Sequence, residues 1–295
     1  MRSPLATLFP LGSALGYTLA ALMLKRATEN GAGPWRITFL VNWVAALAFL
    51  PWLLQGGAPF STGPVTLAIL TGVTFFVGQV FTFLALSRGD VSLTTPIMGT
   101  KVIFVAILGA LFAGEQLTPS LWSASLLTCV ATALLGGELK TNAERLLPSL
   151  GFGITAALAY AAADIMQQRW VPLLGFGHFA PVMFLTIGLL AFTLLPLFPA
   201  PLSTLPKDSW FWGLGGGVLI ALQATGIAVS IASFHEVTLT NVLYTTRGIW
   251  SVLLVWAIGS WFGNNERSVG HRIMLQRLLG ATLLLGAVLL GLHGR

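Results

Sequence analysis

Ten stretches of this chain are apolar for about 20 residues at a time, the length at which an α-helix rising 1.5 Å per residue crosses a bilayer's hydrocarbon layer. They run over residues 5–24, 35–54, 64–86, 91–113, 119–136, 148–168, 178–197, 210–233, 237–262 and 273–292. The links between them are short and hold the Gly, Pro, Asn and charges, as in QGGAPFSTGP, GGELKTNAERLLP and FGNNERSVGHR. The runs are continuously apolar, not alternating, which excludes an outer-membrane barrel. Helices are then the remaining way to satisfy every backbone polar group inside lipid. Only 8% of the residues are charged, against about 25% in soluble domains, too few to coat a soluble surface. The predicted fold class is an all-α integral membrane protein of ten transmembrane helices. The formal net charge of +6 is spread singly over the links, with no basic stripe. It is read as orientation signals and contacts with membrane lipids, and no nucleic-acid partner is expected.

The chain also repeats itself. VSLTTPIMGTK, residues 91–101, recurs as VTLTNVLYTTR, residues 237–247, without a gap. ALGYTLAALMLKR, residues 14–26, recurs as ALAYAAADIMQQR, residues 157–169. The offsets, 146 and 143 residues, make segments one to five equivalent to six to ten. Five is an odd number of crossings, so the second unit enters the bilayer upside down, an inverted 5+5 repeat. The units are expected at 1–145 and 146–295. The seventh segment, with His178 and Pro181 near its start, is the weakest span. The first segment has a counterpart later in the chain, so it is read as a helix of the mature fold, not a signal peptide. Small residues at Gly12/Gly16, Gly213/Gly217 and Ala159/Ala163 offer faces for close helix approach.

Chemistry is sparse. The one cysteine, Cys129, lies in an apolar run and reads as core; no Cys/His cluster has metal-ligand spacing. There is no HExxH, no GxSxG, no P-loop and no pair of intramembrane carboxylates. No enzyme, metal or cofactor is expected. The counted cations, three on the N-terminal side (Arg2, Arg169, Arg295) against ten on the other, place both termini outside.

Within this apolar chain, Lys101 and Arg247 fall on equivalent positions near the middle of the fourth and ninth segments. A charge at a helix centre costs about 2.5–3.5 kcal/mol on the insertion scale, and such groups face a cavity or a partner. Two readings stand. The pair forms a midplane patch for an anionic group, with Arg247 as the fork and Lys101 as a point charge. Alternatively they are structural and paired internally. Asp164 is the one acid inside a predicted span; it reads as a proton carrier, a binder of a substrate amine, or, preferred, a counter-ion to Arg247. Around them, Gln79, Gln223, Thr95, Asn241 and Trp43 supply amide, hydroxyl and indole groups, and Tyr17, Tyr160 and Tyr244 supply aromatic walls. Tyr17 and Tyr160 match across the repeat, and Tyr244 stands one helical turn before Arg247. Pro96 breaks the early fourth segment. Glu115 reads as an interfacial anchor, and the four histidines as solvated.

The duplicated unit, together with ALSRGDVSLTTPIMGTKVIFVAILGALFAGEQLT, residues 85–118, and its echo at residues 233–267, resembles the drug/metabolite transporter superfamily in its EamA-like ten-helix branch. The resemblance covers nearly the whole chain. It implies a basket of ten helices in the cell (inner) membrane, worked by alternating access, moving a small organic solute, outward in many members. Plastid phosphate translocators of that superfamily bind anions through cations in the fourth and ninth helices, which supports the anionic reading of Lys101 and Arg247. The small multidrug members use an acid in their first helix, and this chain has none there. The resemblance also implies cytoplasmic termini, against the charge count. The expected activity is export of an anionic or zwitterionic solute, such as an amino acid or related metabolite. The alternatives are a lipid flippase or scramblase, and a membrane scaffold without transport. Monomer and homodimer stay equally open.

Overall fold

The computed structural model describes residues 4–88, 97–135, 143–258 and 271–293. These residues form helices α1 (Leu5–Ala27), α2 (Pro34–Phe49), α3 (Thr62–Arg88), α4 (Lys101–Phe112), α5 (Pro119–Leu135), α6 (Ala143–Leu174), α7 (Phe176–Leu190), α8 (Lys207–Phe234), α9 (Val237–Tyr244), α10 (Arg247–Ile258) and α11 (His271–His293). No strand occurs among the described residues. Seven helices, some extended by short π or 3₁₀ turns, are long and apolar enough to cross a membrane; Ile97–Phe112 and Pro119–Leu135 are shorter apolar helices. The seventh predicted segment is among the long ones, at Phe176–Leu197. The ninth is two helices, α9 and α10. Large apolar side chains point outward all around, among them Leu8, Leu111, Leu147, Phe211 and Leu289, each more than half exposed, a surface suited to lipid.

The most extensive helix contacts among the described residues pair up when the two predicted units are exchanged. Helix α1 lies against α8, and α3 against α6. Helix α2 meets α8 as α7 meets α3, and α5 pairs with α11. Helix α4 touches α6, as α1 touches α9 and α10. The likeness extends to single bonds. Gly33 and Gly175 precede α2 and α7 with φ/ψ of 72°/158° and 80°/149°, a region open to glycine because it has no Cβ. Three residues after each glycine a side chain reaches the opposite unit. Arg36 Nη1 donates to the Pro201 carbonyl at 3.3 Å, and His178 Nδ1 lies 2.8 Å from the Ala58 carbonyl. Neither side chain is the solvated group expected. Arg36 is 4% exposed, with Nε on Ala32 O at 2.6 Å and Nη2 on Gly31 O. His178 is half-buried and stacked on Phe60 at 4.3 Å. Backbone carbonyls freed at chain turns cannot be left dry, and these two side chains serve them.

The core between α2, α3 and α7 is apolar, with Phe49 stacked on Phe184 at 3.8 Å and 7°. Small residues set the close approaches, but not all those expected. A Cβ on Gly213 or Gly217 would meet Ile37 or Val44 at 3.2 Å, while Gly12 has nothing within 4 Å. Gly177 is tighter still, since a Cβ there would stand 2.3 Å from the Gly56 carbonyl oxygen. Gly177→Ala is therefore expected to lower the melting temperature of the purified protein by about 5 °C or more. Gly12→Ala should leave it unchanged.

Candidate functional site

The fourth and ninth segments break at the same place. Thr100 sends both its backbone N–H and its hydroxyl to Ile97 O, at 3.0 and 2.6 Å. Thr246 does the same to Leu243 O, at 3.1 and 2.7 Å. The carbonyls of the two threonines are then taken three residues on, by Ile103 N and Ile249 N. A threonine hydroxyl competing for a backbone carbonyl tightens a turn to i−3 spacing and interrupts the helix. The next residue starts a new helix, and it is Lys101 in one case and Arg247 in the other. Both cations thus sit at the positive end of a helix dipole, where negative charge is favoured and positive charge is not.

The two cations are compensated differently. Lys101 Nζ lies 2.8 Å from Asp164 Oδ2, with side-chain exposures of 20% and 4%. Asn241 Nδ2 donates to the same carboxylate oxygen at 2.8 Å and to Val237 O at 3.0 Å. Asp164 is therefore the counter-ion of Lys101, where Arg247 was the expected partner. Arg247 instead lies between two rings, its Cζ 4.7 Å from the Tyr17 centroid and 4.8 Å from that of Tyr244. Among the described residues no carboxylate oxygen comes within 4.0 Å of it. Ring faces attract a guanidinium through their quadrupole but leave its charge in place. The third tyrosine of the chain, Tyr160, holds its ring 5.9 Å from Lys101 Nζ. All three tyrosines therefore stand at the two cations.

The surrounding amides set these rings. Tyr244 OH donates to Gln223 Oε1 at 2.8 Å, tying α9 to α8. The Tyr17 and Tyr244 rings meet edge to face at 6.0 Å. The hydroxyl of Thr18, which sequence reasoning passed over, is shared between the Ala14 carbonyl at 2.9 Å and the Arg247 carbonyl at 3.3 Å. Gln79 does not join this group. It is closed into a reciprocal amide pair with Asn42, at 2.9 and 3.0 Å, joining α3 to α2. Trp43 packs on Phe192 at 5.5 Å, its indole N–H buried with no partner among the described residues. Thr95, and Pro96 beside it, lie outside the described residues. Lys101, Arg247, Gln223 and the tyrosines are all half-buried, whereas Asp164 and Asn241 are buried.

A cavity of about 490 Å³ lies further along, lined by Phe112, Ala113, Gly114, Glu115, Gln168, Arg169 and His235. Here Glu115 is no mere surface anchor. It accepts from Thr238 N at 3.3 Å and from the Thr238 hydroxyl at 2.5 Å. Gln168 accepts from Val237 N and donates to His235 O, both at 3.1 Å. The first amides of α9, which have no partner inside the helix, are thus taken by α6 and by the link after α4.

Residues 4–137 match the EamA-like transporter family. A protein of Rickettsia bellii (strain RML369-C) named S-adenosylmethionine uptake transporter is 26% identical over 136 residues, which are 46% of this chain and 46% of that protein. The match thus spans under half the length of that relative. A protein of known crystal structure superposes with a TM-score of 0.78 at 19% identity, over 99% of each chain. At that identity the likeness concerns the fold.

The Lys101–Asp164 pair carries a stability prediction. Removing one partner of a buried pair costs about 3 kcal/mol, because the other is stranded, while replacing both is nearly neutral. Asp164→Asn should therefore melt well below the wild type. Lys101→Met/Asp164→Asn should recover most of the loss in the same thermal unfolding assay.

Proposed function

We propose that the chain is a member of the drug/metabolite transporter superfamily, which the match to the EamA-like transporter family supports, and that it is a secondary transporter of a small organic solute bearing a carboxylate, an amino acid or a related metabolite. The observation that carries this reading is the unequal state of the two cations. Lys101 is neutralised by Asp164 at 2.8 Å, while Arg247 has tyrosine partners and, among the described residues, no carboxylate oxygen within 4.0 Å. One net positive charge at a helix start, flanked by half-buried polar groups, favours one anionic group. A planar carboxylate fits the guanidinium fork, and the Tyr17 and Tyr244 faces suit the body of the solute. Gln223, Asn241, Tyr160 and Thr95 orient the rest. Asp164, shared by Lys101 and Asn241, receives a solute ammonium or a coupling proton when Lys101 moves away. S-adenosylmethionine, in the name of the Rickettsia relative, is an amino-acid derivative of this class.

The proposed scaffold is ten spans in the cell (inner) membrane, built of units 1–145 and 146–295 as an inverted 5+5 repeat. Support comes from packing that survives exchange of the units and from the paired breaks at Thr100 and Thr246. Broken helices meeting at a central site are the recurrent design of secondary transporters, and rocking one unit against the other exposes the site alternately. Export is the direction the family resemblance implies, while the Rickettsia protein is named for uptake. Flux of labelled substrate in oriented vesicles separates the two.

The test is a thermal-shift screen of purified protein against amino acids, S-adenosylmethionine, phosphorylated sugars and lipid headgroups. Carboxylate-bearing solutes should stabilise the wild type. Arg247→Met should weaken binding at least thirtyfold, about the 2 kcal/mol or more lost when one member of a buried charge pair is truncated. Arg247→Lys should fall between, since it keeps the charge and loses the fork. Preferential stabilisation by phosphate headgroups would replace this reading with lipid flipping. Undiminished transport in Arg247→Met would remove the site.

A further inference from the structure

Two arginines fall on the same position of the repeat and are used differently. The alignment of residues 14–26 with 157–169 puts Arg26 on Arg169, and the 146-residue offset puts Phe112 on Ile258. Phe112 and Ile258 are the last residues of α4 and α10, the two helices that start at Lys101 and Arg247. Arg169 Nη1, on α6, donates to the Phe112 carbonyl across the boundary between the predicted units. It serves a carbonyl with no partner inside its helix, at the negative end of the dipole. Arg26, in the last turn of α1, makes no hydrogen bond or ion pair among the described residues. The neighbours differ in the same sense. Gln168 holds Val237 N and His235 O of the turn into α9. Its counterpart Lys25 pairs locally with Glu29, at 3.9 Å and with 44% of its side chain exposed. Between the Arg169 contact and Lys101, α4 carries Val105 into a buried apolar cluster with Ala161, Ile165, Ile231 and Val237. The counterpart of Val105 on α10, Ser251, is exposed.

We propose that Arg169 and Arg26 are gate residues for the two membrane faces and engage in turn. In this structure Arg169 grips the end of α4 and shuts one face, while Arg26 is unengaged. In the opposite arrangement Arg26 donates to the Ile258 carbonyl and shuts the other face, and Arg169 lets go of Phe112. The proposal rests on the inverted repeat and alternating access proposed above, which set the ends of α4 and α10 at opposite faces, and it adds which side chains close them. Among the groups that close the α4 end, arginine is the one the sequence repeats. Gln168 falls on Lys25, which cannot accept a hydrogen bond, and Glu115 falls on Trp261, which lies outside the described residues. A guanidinium keeps its charge at any working pH, so neither gate depends on a proton. Each gate is one charge-assisted hydrogen bond to a helix-end carbonyl. Breaking one while forming its like at the other face leaves the two arrangements close in free energy, as a cycle between them requires.

The experiment reads both ends at once. In the full chain carrying Cys129→Ser, spin labels at Ala110→Cys and Leu173→Cys report the α4 end, and labels at Ala257→Cys and Glu29→Cys report the α10 end. All four positions are exposed. The distance within each pair is measured by pulsed electron paramagnetic resonance in reconstituted protein without added solute. Arg169→Ala should lengthen the Ala110/Leu173 distance and shorten the Ala257/Glu29 distance, moving the ratio of the two populations about tenfold or more. Adding Arg26→Ala to that variant should reverse most of the shift, because both gates are then lost. Arg169→Lys, which keeps a charged donor, should shift the ratio less than Arg169→Ala. A merely local role for Arg169 would loosen the α4 end and leave the other pair where it was. The proposal is overturned if Arg169→Ala leaves the Ala257/Glu29 distance unchanged, if both distances move in the same direction, or if the double variant stays as shifted as Arg169→Ala. The distances are read without solute, so they stand apart from the binding screen. Unmoved distances together with intact carboxylate binding would remove the gates and keep the site.

Discussion

A charge inside a bilayer has to be answered by an opposite charge, by a polarisable surface or by water, and this chain has two such charges at one level of its repeat. The answers differ. Lys101 meets a carboxylate, and Arg247 meets the faces of two tyrosines. Much of the interior follows from those needs. Asp164 must be buried to hold Lys101 and needs Asn241 for its remaining lone pairs. Tyr244 must be fixed to cradle Arg247, and Gln223 fixes it. The chain has only three tyrosines, and none is spent elsewhere.

The sequence repeat puts a cation at the same point in each half of the chain. Each unit carries the same local instruction, a threonine that diverts its hydroxyl to the carbonyl three residues back and so ends one helix just before a cation. With the units packed so that α1 lies on α8 as α6 lies on α3, the two interruptions become neighbours of the same helices. The same relation recurs at the periphery. Arg36 and His178 differ in chemistry but reach equivalent carbonyls, Pro201 and Ala58, across the unit boundary. A guanidinium offers several donors and takes four acceptors here, whereas imidazole takes one. Backbone geometry has been kept where side-chain identity has not.

The sequence was legible where physics acts locally. Continuous hydropathy marks the long helices, and self-similarity pairs Thr100 with Thr246 and Lys101 with Arg247. Partners were harder to read. Asp164 was assigned to Arg247 because both lie mid-segment, but its neighbour depends on how α4 and α6 pack, and no periodicity encodes that. Gln79 and Gln223 look alike in sequence, yet one closes on Asn42 and the other on Tyr244. Glu115 read as a surface anchor because it follows a helix end. The signal that would have corrected this is Gly109, six residues before it, where a Cβ would stand 2.6 Å from the carboxylate.

The departure from symmetry is what gives the centre its character. Were Asp164 repeated at position 21, where the first unit has alanine, both cations would be neutralised and the middle of the protein would be inert to anions. One acid against two bases leaves a single positive charge beside a pair that is already formed and already partly exposed, with 20% of the Lys101 side chain accessible. Were an incoming ammonium to take the place of Lys101 on Asp164, the displaced Lys101 would be left to water, which its side chain already partly reaches. A carboxylate placed on Arg247 would answer the one charge that Asp164 does not. On the transport reading, such an arrangement would suit solutes that carry both signs.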